Sequence, residues 1–431
     1  MGEESQSRPS PWAVALLEAV LDALASVRKR VTDLPGPDLL ACVLYAGGHR
    51  PLFRWARLAD RLEEIVPSNS TFYLDAARKA VSLSTNAGDA AAPAIAAADG
   101  LELALDAVRY HSPETRSLSP YIEGLVHALL QSRLPASGES PDAAGCAWVR
   151  QGLPCLASTH SAVVALARCL RDSGGSESQY KLPGDVGEQI GGCLSEASHY
   201  LESRLIALAS GGGLTRRPSD ALRVALCTHA LTEIHLLDVT RFPFSATGAQ
   251  HGAMLLLEIA LSRPHLLGGS VFLRPEEEGA SPATAFEEKA ALSRTLRALA
   301  ETHRLFGRHE AAADEAGWLI GLSFARERTR SAMTYLSRLI TDLRDPTDCT
   351  WEEGRFDARA TLLAIIALVE SAEAIWEAAR DCPARPREHE GIYEWYEGVR
   401  WVLSNESAAH TIATVIAREL AGGARGEGGS G

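Results

Sequence analysis

The chain has 431 residues and a formal net charge of −13, with 42 Lys and Arg against 55 Asp and Glu. That balance argues against a general nucleic-acid binder, whose affinity comes from neutralising phosphates. An apolar fraction of 46% rules out a disordered chain, and abundant alanine with only 6% aromatics favours close helix packing over a bulky sheet core. Lysine occurs only at Lys29, Lys79, Lys181 and Lys289, a compositional bias that we do not read as phosphate recognition.

The first segment, MGEESQSRPSP, is acidic and lacks the basic region of a secretion signal. No run of about 18 apolar residues follows anywhere, so no membrane span and no membrane partner are expected. The eight cysteines, Cys42, Cys146, Cys155, Cys169, Cys193, Cys227, Cys349 and Cys382, form no C-x-x-C pair and have no metal-ligand spacing. Reduced thiols in the cytoplasm are the expectation.

In chain order, helices are predicted over 11–31, 38–45, 51–66, 73–84, 93–110, 120–133 and 155–171. Ser10 and Pro11 make a good start for the first. Trp55, Leu58, Leu62 and Ile65 share a face in the third. Residues 172–192 read as a long polar connection, a candidate domain boundary. Helices over 193–209, 219–238 and 253–262 follow, with a loop expected at 242–252. Ser270 to Leu273 is the one strand-like stretch. Two long helices occupy 281–343, and helices over 358–380 and 390–420 complete the series. The periodicity thus implies an all-α fold of stacked antiparallel helix hairpins, a degenerate solenoid-like repeat with essentially no sheet. The expected domains are 1–171 and 193–420, and 421–431 is a flexible tail.

The text Leu299-Ala300-x-x-His303-x-x-x-Gly307-x-x-x-x-Ala312 resembles one tetratricopeptide unit over about 34 residues. The resemblance implies a turn at Gly307, with Ala300 and Ala312 as the small residues where two helices touch. His303 departs from the tyrosine usual there, and Leu319 from a small residue. Gly317 and Gly321, four apart, point to close packing of the next helix.

Arg297 and His303, one to two turns apart, look like the catalytic pair of helical ribonucleases of the HEPN type, in which arginine steadies a phosphate and histidine moves a proton. Arginine abundance makes such spacing common, so a packed histidine is the competing reading. His229 and Glu233 face the same way on one helix and are candidate metal ligands. Two ligands on one face do not make a site, so a third from His251 or His265 would be needed. Tyr393, Glu394, Trp395, Tyr396, Glu397 and Trp401 set aromatic faces among carboxylates, a candidate surface for a cation or an arginine-rich peptide. No phosphate loop, G-x-S-x-G or H-E-x-x-H pattern occurs, and no cofactor is expected. The expected function is a cytoplasmic scaffold or adaptor for protein partners. The alternative is an all-α enzyme or small-ligand-binding protein with a central cleft, including the ribonuclease. Converging His, Arg, Asp and Glu from separate helices would favour that alternative.

Overall fold

The structure is a computed structural model, and it describes residues 9–31, 37–66, 93–110, 118–134, 146–150, 153–173, 181–210, 218–237, 243–262, 284–312, 316–345, 350–351 and 359–381. The fold is all-α. Its helices are α1 (Pro11–Val31), α2 (Pro37–Gly48), α3 (Arg50–Trp55), α4 (Ala59–Ile65), α5 (Pro93–Tyr110), α6 (Ser119–Gln131) and α7 (Leu156–Ser173). They continue as α8 (Gly184–Ser210), α9 (Pro218–Leu237), α10 (Pro243–Ser262), α11 (Thr284–Ala312), α12 (Ala316–Asp342) and α13 (Arg359–Asp381). Helices α1, α2, α5, α9 and α10 open on proline, whose fixed φ suits the first turn and whose missing N–H leaves nothing unsatisfied there. A short antiparallel ribbon, β1 (Arg133–Leu134), β2 (Ala147–Arg150) and β3 (Leu153–Pro154), links α6 to α7.

The hairpins close into a ring instead of extending as an open stack. Helices α2, α5, α7, α9, α11 and α13 pack each on the next, and α13 returns to α2. Outside them lie α6 on α5, α8 on α7 and α9, α10 on α9, α12 on α11, and α1 on α13 and α2. The outer layer is tied where its ends meet: Trp12 Nε1 donates to Ser337 Oγ at 3.1 Å, and Arg344 donates to Ala19 O at 3.4 Å. Apolar periodicity says which face of each helix is inward, but the turn angle between successive pairs, which decides closure, is not encoded in it. The helices on either side of the 172–192 stretch, α7 and α8, pack against each other.

Two corners of the ring are built alike. Trp148 is fully buried; its indole donates to Leu129 O on α6 at 2.8 Å, and its backbone N–H donates to Thr159 Oγ1 on α7 at 3.1 Å. Trp351 repeats this, its indole donating to Ile340 O on α12 at 2.6 Å and its backbone N–H to Thr361 Oγ1 on α13 at 3.0 Å. The sequence carries the same duplication. Cys146-Ala-Trp148 and Cys349-Thr-Trp351 precede Thr159-x-x-Ala162-x-x-Ala165-Leu166 and Thr361-x-x-Ala364-x-x-Ala367-Leu368. Each tryptophan therefore fixes how an outer helix hands over to the next inner one.

Several expectations are corrected. The helix expected over 51–66 breaks at Arg57, whose φ is 61°. Leu58 N–H bonds Phe53 O at 2.8 Å and Arg57 N–H bonds Arg54 O at 3.0 Å, a left-handed helix stop that usually takes glycine. α8 starts at Gly184, inside the expected connection, and α10 starts at Pro243, inside the expected loop. The glycines there serve packing: a Cβ on Gly248 would lie 2.9 Å from Leu231, and one on Gly252 would collide with Thr228 Oγ1, so α10 approaches α9 closely along this edge. Gly307 makes no turn; it lies inside α11, with Arg326 of α12 across from it. Gly317 and Gly321 lie within α12. The strand expected at 270–273 and the helices expected over 73–84 and 390–420 lie outside the described residues.

Candidate functional site

Each inner helix buries apolar residues on its flanks, and five of the six send charged residues toward the ring's interior. The contributions come from Glu102 and Asp106 on α5, Arg168, Arg171 and Asp172 on α7, and Glu233 on α9. Arg297, Glu301 and Arg304 follow on α11, and Glu370, Glu373 and Glu377 on α13. Helix α2 adds Tyr45, buried near Glu370 and Arg297, and the turn between α2 and α3 adds His49, its Nε2 3.7 Å from Glu373. Most of these lie in the C-terminal halves of their helices.

The pairings show helix direction. Arg297 forks onto Glu370 with bonds of 2.8 and 3.0 Å, and two turns further on Arg304 reaches Glu377 at 2.7 Å. Advancing along α11 thus advances along α13, so the two run parallel. His160 meets His229 at 2.9 Å and Arg171 meets Glu233 at 2.8 Å, giving the same direction to α7 and α9. Arg168 pairs with Asp106, and Arg304 with Glu301 and with Glu373 at 3.0 Å. Exposure rises from the Arg168–Asp106 pair, at 9% and 7% of the side chains, to Arg171 and Glu377, at 40% and 39%. The cluster is therefore reached from one end.

Carboxyl groups outnumber guanidiniums here: eight, from Glu102, Asp106, Asp172, Glu233, Glu301, Glu370, Glu373 and Glu377, against four, from Arg168, Arg171, Arg297 and Arg304. The imbalance splits their acidities. Burial raises Glu301 to about 7 despite Arg304, with Glu233 and Glu370 adding repulsion. Burial likewise raises Glu102 to about 7, against the pull of Arg297 and Arg168. Glu370 goes the other way, because Arg297 outweighs the burial that would raise it. Glu233 is held well below the carboxylate range, burial being overcome by Arg171 and His229. Carboxyl groups poised on both sides of neutrality can supply a proton and accept one.

His160 and His229 are both 3% exposed or less, and burial lowers the pKa of each. His229 Nε2 stands 3.8 Å from Glu233 Oε1, beyond hydrogen-bond reach, and has no hydrogen-bond partner among the described residues. Facing an ionised carboxylate, Nε2 carries the proton, so His160 Nε2–H donates to His229 Nδ1. A buried N–H donor is thus aimed into the cluster.

The sequence candidates separate. His229 and Glu233 are brought together, but no group of three His, Cys, Asp or Glu able to hold a metal occurs among the described residues. Arg297 faces the interior, whereas His303 is buried with Arg326, Arg330 and Arg304 as its charged neighbours, on the α12 side. Six residues apart on one helix, the two point about 120° apart around its axis, and the structure does not assemble them into a pair. Tyr393, Glu394, Trp395, Tyr396, Glu397 and Trp401 lie outside the described residues. Sequence reasoning missed Arg168, Arg171, Glu370 and Glu373. Their signal was charge at three-residue spacing inside otherwise apolar, fully helical text.

No family model matches the chain, and no curated protein and no solved structure matches it either.

Proposed function

We propose that this chain binds a small molecule in the charged interior of its helix ring, that the ligand is an organic cation with several N–H donors, and that acid–base chemistry can be done on it there. One observation carries the reading: charged side chains from five inner helices, joined by Tyr45 from the sixth and His49 from the turn that follows it, converge with carboxyl groups in excess. A core built for stability alone gains nothing from this, since buried ion pairs are often no better than apolar packing and unmatched buried charge is costly. Ionisable groups shifted in both directions in one place mark candidate functional sites. The neighbouring C-terminal helix ends add partial negative charge, and with the extra carboxylates they favour a cation.

The adaptor expectation rests on the acidic composition and the absence of catalytic motifs. It goes with an open stack bearing a groove, whereas converging charged side chains favour the ligand-binding alternative. Among the described residues no helix is long and apolar enough to cross a membrane; a cytoplasmic setting stays part of the proposal.

Thermal unfolding in the presence of diamines, polyamines and guanidino compounds, with matched anions and neutral polyols as controls, tests the reading. At least one cation is expected to raise Tm by several degrees, and Glu373→Gln with Glu377→Gln, at the more exposed end, to abolish the rise. Equal stabilisation by anions, or none by any cation, overturns it.

A further inference from the structure

On the outside of the ring, β1, β2 and α8 meet at a second cluster that the interior site does not use. Cys146 N–H donates to Glu196 O at 3.2 Å, which lays the start of β2 along α8. One turn back on α8 sits Cys193, and the two thiols hydrogen-bond to each other, both of them buried. Arg133, on β1, bonds Cys193 and approaches Glu196 at 3.6 Å. Cys193 is also part of the wall of a surface cavity of about 320 Å³, along with Arg133, His127, Gln131, Gln189 and Glu196. Gly192, on the same wall, leaves open space where a side chain would stand. A buried thiol pair is thus reached through a cavity with a guanidinium beside the sulfur.

We propose that Cys146 and Cys193 form a reversible dithiol–disulfide site, oxidised by a low-molecular-weight disulfide that enters this cavity. The roles follow from the contacts. Of the two, Cys193 is the one on the cavity wall, with Arg133 on the same wall; the neighbouring Cys146 thiol and then Arg133 hold the Cys193 thiol below its ordinary range, against burial. Cys193 is therefore the attacking thiolate. Its sulfur bonds one sulfur of the incoming disulfide, the S–S bond breaks, and the first small thiol leaves carrying the proton Cys193 gave up. Cys146 sulfur then attacks Cys193 sulfur in the mixed disulfide, and the second small thiol leaves with the Cys146 proton. Two protein thiols and one small disulfide become one protein disulfide and two small thiols, so atoms and electrons balance. The result would staple the Trp148 corner to the outer helix α8. This site is independent of the ligand proposed for the interior.

The test treats the full folded chain with oxidised glutathione, quenches with an alkylating agent and maps the unreduced peptides. Expected is a linked Cys146–Cys193 peptide appearing before any modification of Cys155, which is the more exposed thiol. In Cys146→Ser a glutathione adduct should persist on Cys193, and in Cys193→Ser none should form at Cys146. Modification in order of exposure, with Cys155 first, overturns the proposal. So does recovery of Cys146 and Cys193 as free thiols until the chain is denatured, a readout that needs no variant to fold.

Discussion

The α6–α7 and α12–α13 units are built on the same joint and lined with opposite charge. In both, a buried tryptophan ties an outer-helix carbonyl to the threonine that opens the inner helix. Counting from that threonine, the ninth and twelfth residues onward are Arg168 and Arg171 on α7, and Glu370 and Glu373 on α13. With six inner helices in sequence around the ring, α7 and α13 stand opposite each other. Equivalent positions of one repeated unit thus give a cationic wall and an anionic wall. The corner and the apolar flanks set the fold, and the inward positions are left free to vary, which is where function can be written.

The largest effect tests the sameness of the joints. Trp148→Ala and Trp351→Ala should each cost about 3–5 kcal/mol, the range for emptying a large buried aromatic site. Trp351→Phe keeps a ring but removes the indole donor to Ile340 O, costing about 1–3 kcal/mol, and Trp148→Phe should cost less, since Leu129 O still accepts from Ser132 Oγ at 3.1 Å. Urea denaturation of the four variants checks this, and a cost confined to one corner would break the equivalence. Next comes the difference between the walls. Arg168→Met strands buried Asp106, and Glu370→Leu strands Arg297 beside Glu102; each should cost about 3–5 kcal/mol. Combining Arg297→Met with Glu370→Leu removes a whole pair and should return most of the loss. A double-mutant cycle that adds up instead would mean the pair is not coupled.

Much of this was legible before the structure. Helix spans such as 11–31 and 93–110 follow from apolar periodicity and proline starts, because those signals are local. Ring closure was not, since it depends on angles accumulated over six pairs. Nor were the glycine positions: Gly248, Gly252 and Gly307 look like breakers in one dimension and are packing surfaces in three. His229 and Glu233 were found because i, i+4 geometry is local. Their partners Arg171 and His160 are 62 and 69 residues away, and only the ring brings them near. The Cys-x-Trp duplication was present in the sequence, but two copies some 200 residues apart do not produce a period.

The interior should also show itself as a pH dependence. Glu301 and Glu102 have folded pKa values raised from 4.5 to about 7. Across that window the folded chain keeps protons that the unfolded chain has released. Their stabilising contribution is full below 4.5 and is lost as pH rises through about 7. His160 and His229, lowered from 6.5, act in the opposite sense: the unfolded chain gains protons as pH falls below 6.5, and stability falls with it. Unfolding free energy measured against pH should therefore lose part of its downward slope between 4.5 and about 7 in Glu301→Gln, next to the anionic wall. The same should hold in Glu102→Gln, next to the cationic one. An unchanged slope in one variant would assign the titration to the other wall.

The smallest effect separates two kinds of helix contact in the ring, and its sign matters more than its size. At Gly252 an alanine Cβ meets the fixed Thr228 side chain, whose hydroxyl is already bonded to Val224 O at 2.7 Å. α10 must move off α9, so Gly252→Ala should cost about 1–3 kcal/mol. At Gly307 the nearest atom to an added Cβ is Arg326 Cζ at 3.4 Å, the far end of a flexible chain that can shift. Because Gly307 is mid-helix, alanine there should stabilise by up to about 1 kcal/mol through helix propensity. A turn glycine in a tetratricopeptide-like hairpin would respond the other way, since alanine does not readily take the left-handed conformation such a turn uses. A higher urea midpoint for Gly307→Ala would therefore favour a continuous α11, carrying Arg297, Glu301 and Arg304 as one rigid strip. A lower midpoint would favour a chain folded back at Gly307, with Arg304 no longer held in register with Glu377.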